Sequence, residues 1–360
     1  MSTRLIFGAG SLDRLGEAAS ELGFTRTLLV GDPGLLGMRD RAATLLLNAG
    51  ISVHIYSRFG ANPDSNTVDA GREFAAPLGV DSIVALGGGS ALDAAKGINF
   101  LLTNGGRIQD YRGYAKAKRP LLPSIGIPTT AGTGSEAQTY CVIADAETHM
   151  KMACGDPSAA FRTAILDPDL AWSAPTEVRA AAGIDAAAHA IETLVTRRRS
   201  PLSQLLSREA WHLIEPSLLR AIDDGDDAGA RTAMLLGSHL AGAAIEASML
   251  GAAHACANPV TARYGTAHGI ALGILVPHVV RWNAERIEMD YEDFGGVEKI
   301  VSLIDSARQK AGFPSTLRDL GAKEPDLEEL AMLAATQWTG TFNPREMGAI
   351  GAMEIYKAAF

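Results

Sequence analysis

Three histidines and one aspartate in the second half of the chain have the types and spacing of ligands to one divalent metal ion. Asp185 and His189 lie four residues apart, so on a helix their side chains project from the same face. His254 and His268 are separated by residues that include a proline and a glycine, which allows a helix end and a loop to return to one point. Imidazole and carboxylate ligands suit Zn²⁺ or Fe²⁺ better than Ca²⁺ or Mg²⁺. A surface Asp–His pair and two ligand-free buried histidines are the alternative interpretation.

A glycine cluster in the first half lies where a buried strand, residues 82–86, runs into a helix expected over 91–102. Glycines at such a junction let the backbone approach a phosphate, and the first helical N–H groups point at it. Ser90 and Asp93 have the spacing of a helix N-cap and its third residue. The cluster is not GxGxxG and does not follow the first strand, and a turn without a ligand is the alternative. The candidate phosphate-binding residues are Gly87, Gly88, Gly89, Ser90 and Asp93.

A second loop rich in hydroxyl groups follows the strand predicted over residues 124–127. Its Thr129, Thr130 and Thr133 offer hydroxyls and N–H groups to a nucleotide. Asp32 follows the first strand, where a carboxylate accepts hydrogen bonds from ribose hydroxyls and repels a 2′-phosphate, which favours NAD over NADP. Lys151 is a candidate phosphate contact. An ordinary turn at Asp32 and a solvated lysine are the alternatives.

Composition and charge restrict the class of protein. The 360 residues suggest two domains, and a hydrophobic fraction of 47% with 20% charged residues is typical of a soluble globular protein. A net charge of −9 argues against a nucleic-acid or anionic-membrane surface. Three widely spaced cysteines favour a reducing compartment, and neither a signal peptide nor a membrane-spanning stretch is expected. These features predict a cytoplasmic protein.

The two halves of the chain differ in their patterns. Short apolar runs alternate with helical segments up to about residue 170, which predicts an α/β domain with a mostly parallel sheet. Strand patterns then nearly vanish, and Ala/Leu-rich segments predict helices. We place the boundary so that 1–172 forms a dinucleotide-binding domain and 173–360 a helical metal-binding and substrate domain. The helices expected in the second domain are 178–196, 201–222, 228–249, 270–283, 297–311 and 326–338.

The chain resembles the iron-dependent, group III alcohol dehydrogenases over nearly its whole length. The resemblance implies a Rossmann-like α/β domain and an all-helical domain of dehydroquinate synthase-like architecture, with the active site in the cleft between them. The motifs that carry it are GGGSALDAAK at 87–96, PTTAGTGSE at 128–136, DP at 167–168, GIDAAAHAIE at 183–192, HG at 268–269, PH at 277–278 and NPR at 343–345.

The resemblance also implies roles for particular residues. Asp185, His189, His254 and His268 match the four metal ligands of the family, and Fe²⁺ is the metal that the family favours. The positions that match its NAD contacts are Asp32, Asn62, Gly88, Gly89, the loop 129–133 and Lys151.

One position departs from the family pattern. Many members have a second histidine four residues after the third ligand, and this chain has Asn258 there. An amide does not titrate, so a proton relay through this position is in doubt, and water or the ribose hydroxyls are the alternative route.

The function expected is hydride transfer between NAD(H) and a small alcohol or aldehyde, with the metal acting on the substrate oxygen as a Lewis acid. A maleylacetate reductase, or another reductase of acidic carbonyls with Arg263 as a contact, is the alternative within the family. Such reductases generally lack a complete metal set, whereas this chain has all four ligands. A dehydroquinate synthase-like lyase and an inactive NAD-binding regulatory protein are further alternatives. A homodimer is expected because it is the commonest oligomer.

Overall fold

A computed structural model describes residues 3–60, 62–171 and 174–360 and divides the chain into two compact units. The first unit comprises residues 1–130 and 134–173, and the second comprises 131–133 and 174–360. The predicted boundary falls on Trp172 and Ser173, which lie outside the described residues. The division into 1–172 and 173–360 therefore stays a prediction.

The first unit is built on a parallel sheet of six strands in the order β1-β9-β6-β4-β2-β3. Three further strands form a small sheet, ordered β5-β8-β7, that the sequence did not predict. The strands are β1 (Arg4–Phe7), β2 (Arg26–Gly31), β3 (Ser52–Tyr56), β4 (Ser82–Gly87), β5 (Gly113–Tyr114), β6 (Ser124–Pro128), β7 (Tyr140–Ala144), β8 (Lys151–Gly155) and β9 (Thr163–Leu166).

Apolar side chains cover both faces of the six-stranded sheet. On β4, Ile83 and Ala85 belong to one core cluster, whereas Val84 and Leu86 belong to another. Successive strand residues point to opposite faces, so a strand buried on both sides must be apolar throughout. The helices that accompany these strands are α1 (Leu15–Glu21), α2 (Leu36–Asn48), α3 (Ser65–Ala75) and α4 (Gly89–Asn104).

The start of α4 differs from the prediction. The helix begins at Gly89 with Gly88 as its N-cap, so Ser90 is its second residue and caps nothing. Gly88 supplies the extended backbone, and its carbonyl accepts the N–H of Ala91. The N-cap role expected for Ser90 was therefore wrong, because Gly88, two residues earlier, is the N-cap.

The second unit is helical throughout residues 174–360, where no strand is present, so the predicted fold class is confirmed. One continuous apolar cluster runs through it. Its helices are α5 (Thr176–Val195), α6 (Pro201–Ile214), α7 (Leu218–Asp223), α8 (Ala228–Ala247), α9 (Ala252–Tyr264), α10 (His268–Ile287), α11 (Val297–Lys310), α12 (Asp326–Ala335) and α13 (Gly348–Ala358).

Prolines account for two differences from the predicted helices. The helix expected over 201–222 is two helices, since Pro216 has no N–H to continue α6. Conversely, α9 was not predicted as a helix, yet it continues through Pro259, which is buried. Tertiary packing of α9 against α10 and α12 outweighs the lost backbone hydrogen bond.

Among the described residues, none of the helices taken singly has the length and apolarity to cross a bilayer. Helices α8 and α9 taken together have the required length and apolarity, but their axes are bent by 106° at the break between them.

Candidate metal centre and cofactor loops

One face of α5 carries two of the four predicted ligands. Asp185 and His189 lie one helical turn apart and are 6% and 5% exposed. The Nε2 atom of His189 lies 3.3 Å from Oδ1 of Asp185. The i, i+4 spacing thus brings the two side chains together as predicted.

A third predicted ligand comes from the first turns of α9. Nε2 of His254 lies 3.4 Å from Oδ1 of Asp185, and its ring stacks on that of His189 with centroids 4.7 Å apart. The candidate ligand atoms of Asp185, His189 and His254 all lie within 4.8 Å of one another. This cluster has the donor types and the size of a site for one transition-metal ion.

The fourth predicted ligand, His268, is the first residue of α10. Its ring centroid lies 5.2 Å from that of His254, and its Nδ1 atom lies 3.3 Å from Oγ1 of Thr261. His268 is half-buried, unlike the other three. The structure therefore places His268 beside the cluster that the other three predicted ligands form in the second unit.

The start of α10 packs very closely against α5. A Cβ atom added at Gly269 would lie 2.0 Å from the carbonyl oxygen of Ala181, one turn before Asp185. Only glycine allows this approach, and it follows directly after His268. The contact between these helices therefore depends on Gly269.

The surroundings shift the pKa values of the buried ligands. Burial alone would raise the pKa of Asp185, but the nearby imidazoles of His189, His254 and His268 outweigh it and lower that pKa. Burial lowers the pKa of His189. Burial would also lower the pKa of His254, but Glu192 and Asp185 on its two sides raise it to about 9. The cluster thus favours an ionised carboxylate with a positive charge beside it.

Two buried polar atoms indicate that the residues fit a cation. Oδ1 of Asp185 and Nε2 of His254 are buried, and neither makes a hydrogen bond of normal geometry within the described part of the chain. Buried polar atoms are nearly always satisfied, and exceptions need an explanation such as an ion. A transition-metal ion bound between the oxygen and the imidazole nitrogens would satisfy both atoms.

Glu192 is a residue of this centre that we did not predict. It lies three residues after His189 on the same face of α5 and is 4% exposed. Its Oε2 atom lies 2.5 Å from Nδ1 of His254. The signal was in the sequence, because residues 185, 189 and 192 repeat with the helical period.

The predicted cofactor residues of the first unit gather where β2, β4 and β6 end. A Cβ atom at Gly87 would lie 3.0 Å from that of Asp32, and one at Gly88 would lie 3.2 Å from Oγ1 of Thr130. The N–H of Asn62 lies 3.3 Å from Oγ of Ser90. These close approaches bring the glycine loop, the threonine loop and Asp32 to one edge of the parallel sheet, where such folds bind ligands.

Other predicted cofactor residues have structural contacts or lie elsewhere. Asp93 accepts the N–H of Val142 on β7 through Oδ2, and burial raises the pKa of Asp93 to about 6. Lys151 is the first residue of β8, and its positive charge acts to lower the pKa of Asp93. Thr129 donates its N–H to the carbonyl of Gly87, whereas Thr133 belongs to the second unit.

Asn258 lies one turn after His254 on α9 and is half-buried. Its amide donates to Oε1 of Gln337 at 3.2 Å, so two uncharged amides meet at the position where the resemblance led us to expect a histidine.

Arg263, the candidate contact for an acidic substrate, pairs with Asp326 and Glu329 on α12.

Comparison with known proteins identifies the family. Residues 2–168 match the sequence model of the iron-containing alcohol dehydrogenases, and residues 179–360 match that of the C-terminal part of the Fe-containing alcohol dehydrogenase family. Alcohol dehydrogenase 4 of Schizosaccharomyces pombe is 34% identical over 98% of this chain and 87% of its own length. NAD-dependent methanol dehydrogenase of Bacillus methanolicus is 31% identical, over 98% of this chain and 97% of its own.

A solved structure of a 1,3-propanediol oxidoreductase superposes with a TM-score of 0.94 and is 32% identical, covering 99% of this chain and 98% of that one. The chain belongs to the iron-containing alcohol dehydrogenase family. It is a metal-dependent oxidoreductase of alcohols and aldehydes, which confirms the expected reaction class.

The close contact at Gly269 predicts a specific defect. Gly269→Ala places a methyl group against the carbonyl of Ala181, so we expect the metal-free protein to lose about 1–3 kcal/mol of unfolding free energy. Gly273→Ala, one turn later, is the matched control, because its Cβ would be 3.5 Å from the nearest atom, Cδ1 of Ile184. The control should equal the wild type or gain up to about 1 kcal/mol. Urea unfolding of both variants in chelator measures this, and equal stabilities would contradict the packing argument.

Proposed function

We propose that Asp185, His189, His254 and His268 bind one divalent metal ion and that the chain uses it with NAD(H) to interconvert small alcohols and aldehydes. The observation that carries the proposal is the buried pair of Asp185 Oδ1 and His254 Nε2, which face each other without hydrogen bonds of normal geometry in the described chain. These residues would hold the ion through imidazole and carboxylate ligands, the types that suit Fe²⁺ and Zn²⁺.

A metal ion bound there would supply a Lewis acid for the substrate oxygen, and NAD would accept or donate the hydride. The protein's contribution is to hold the ligand atoms in place before substrate arrives. Asp185 and His189 are fixed by their common helix, and stacking fixes His254 against His189. Preorganised side chains of this kind need little rearrangement during the reaction.

Two observations favour NAD as the cofactor. Asp32 follows β2 and lies beside Gly87 at the end of β4, a position where a carboxylate suits hydrogen bonding to ribose hydroxyls and disfavours a 2′-phosphate. The related methanol dehydrogenase of Bacillus methanolicus is NAD-dependent by name. The remaining residues that we propose for this cofactor are Asn62, Gly87, Gly88, Gly89, Ser90, Asp93, Thr129, Thr130, Thr133 and Lys151.

The alternative substrate class, an acidic carbonyl such as maleylacetate, has less support. Arg263, the candidate contact, is already paired with two carboxylates. Its guanidinium cannot balance a substrate carboxylate without first breaking these pairs. An inactive regulatory protein has no use for four convergent ligands.

We propose Fe²⁺ as the metal, as in the family, with Zn²⁺ as the competitor because N/O ligand sets bind Zn²⁺ more tightly than Fe²⁺. We also propose a cytoplasmic homodimer. Cys141, Cys154 and Cys256 are buried and form no disulfide, in keeping with a reducing compartment. Symmetric dimers are the commonest oligomers.

The Asn258–Gln337 pair bears on the route of the proton. Neither amide titrates near neutral pH, so this pair positions groups by hydrogen bonding but does not itself take up a proton. We infer that the proton leaves through water or the ribose hydroxyls.

The metal proposal predicts the behaviour of three variants. Asp185→Ala, His189→Ala and His268→Ala each remove one ligand, so each should lose bound metal and most turnover. The measurement is metal content after anaerobic purification, together with NADH-coupled assays on glycolaldehyde, 1,2-propanediol and maleylacetate.

His212→Ala is the control for this experiment, because His212 is exposed on α6 and outside the cluster. It should keep wild-type metal content and turnover. Full activity in a protein verified as metal-free would rule the proposal out.

The cofactor proposal predicts a change of preference in Asp32→Asn. The amide keeps the acceptor for the N–H of Gly34, which Oδ1 of Asp32 binds at 2.8 Å, but removes the negative charge. The ratio of kcat/KM for NADPH to that for NADH should rise by at least about tenfold. Asp226→Asn, the same change at an exposed residue of the second unit, should leave the ratio unchanged. An unchanged ratio in Asp32→Asn would contradict the assignment.

A further inference from the structure

Glu192 binds two neighbouring groups at the start of α9. Its Oε1 atom accepts the N–H of Ala253 at 2.7 Å, and its Oε2 atom lies 2.5 Å from Nδ1 of His254. All three residues are buried. One carboxylate on α5 therefore satisfies both a helix N-terminus and the ring of a candidate metal ligand.

The first turn of α9 is held from both sides. Asn343 accepts the N–H of Ala252 through Oδ1 at 3.1 Å, next to the bond that Glu192 makes to Ala253. A Cβ atom at Gly251 would lie 2.8 Å from Oδ1 of Asn343 and 3.1 Å from Oε1 of Glu192. The N-cap position must therefore be glycine, because the two side chains that replace an N-cap residue occupy that space.

The contact with Glu192 determines which nitrogen of His254 points toward Asp185. A carboxylate accepts hydrogen bonds and cannot donate when ionised, so Nδ1 of His254 must carry the hydrogen that lies between them. Nε2 is then the nitrogen directed at Asp185 and His189. Metal-binding histidines commonly have a carboxylate partner of this kind on the other ring nitrogen.

We propose that Glu192 is a positioning residue of the metal centre, which holds His254 as the Nδ1–H tautomer with Nε2 directed at the ion. This inference rests on the proposed function. It makes α5 the source of two ligands, Asp185 and His189, and of the group that orients a third.

The test compares Glu192→Gln with the wild type. Glutamine keeps the shape but has one acceptor oxygen for two donors. Its NH₂ group therefore either faces the N–H of Ala253, or faces His254 and donates to Nδ1, which moves the ring hydrogen to Nε2. We expect the dissociation constant for Zn²⁺, measured by competition with a chelator, to rise by about 10–100-fold. Glu177→Gln, the same change at an exposed residue of α5, should leave Zn²⁺ affinity unchanged.

A second measurement needs no variant and separates positioning from a purely structural role. Long-range ¹H–¹⁵N spectra of the Zn²⁺-loaded wild-type protein should show the His254 hydrogen on Nδ1. A hydrogen on Nε2, or wild-type Zn²⁺ affinity in a folded Glu192→Gln, would overturn the inference. If the wild type binds no divalent metal, the proposed function itself fails, which distinguishes the two outcomes.

Discussion

Desolvation of the Asp185 carboxylate is the constraint on which the arrangement of the second unit depends. An ionised carboxylate removed from water costs several kcal/mol unless opposite charges or hydrogen bonds compensate. The compensation here comes from three imidazoles rather than from a full set of hydrogen bonds. Such a cluster is poorly suited to a purely structural role and well suited to a cation that shares the electron pairs of oxygen and nitrogen.

Bringing these groups together requires close contact between helices. Gly269 lets α10 approach the backbone of α5, and Gly251 leaves room for the side chains that hold the start of α9. In both places a glycine lies near a histidine of the cluster, at the position where a side chain would push the helix away. The small residues of the second unit thus serve the placement of the ligands as well as the density of its core.

Sequence reasoning was strongest where one local period decides the geometry. Asp185 and His189 follow directly from their i, i+4 spacing, and the alternating strands and helices predicted the parallel sheet. It was weakest where long-range packing overrides a local signal. Pro259 argued against a helix at α9, and Gly88, rather than Ser90, is the N-cap of α4. The helical period places Glu192 on the face of Asp185 and His189, but its role depends on His254, a residue 62 positions away to which no local pattern connects it.

The most direct test of the account is the location of the metal. Anomalous diffraction from crystals of the anaerobically purified protein, recorded at the absorption edge of the metal that elemental analysis finds, shows where the ion is bound. The account predicts one ion per chain, with one oxygen of Asp185 and one nitrogen of each of His189, His254 and His268 at about 2.0–2.2 Å. A catalytically active crystal form with its metal bound at other residues, or with none, would contradict it.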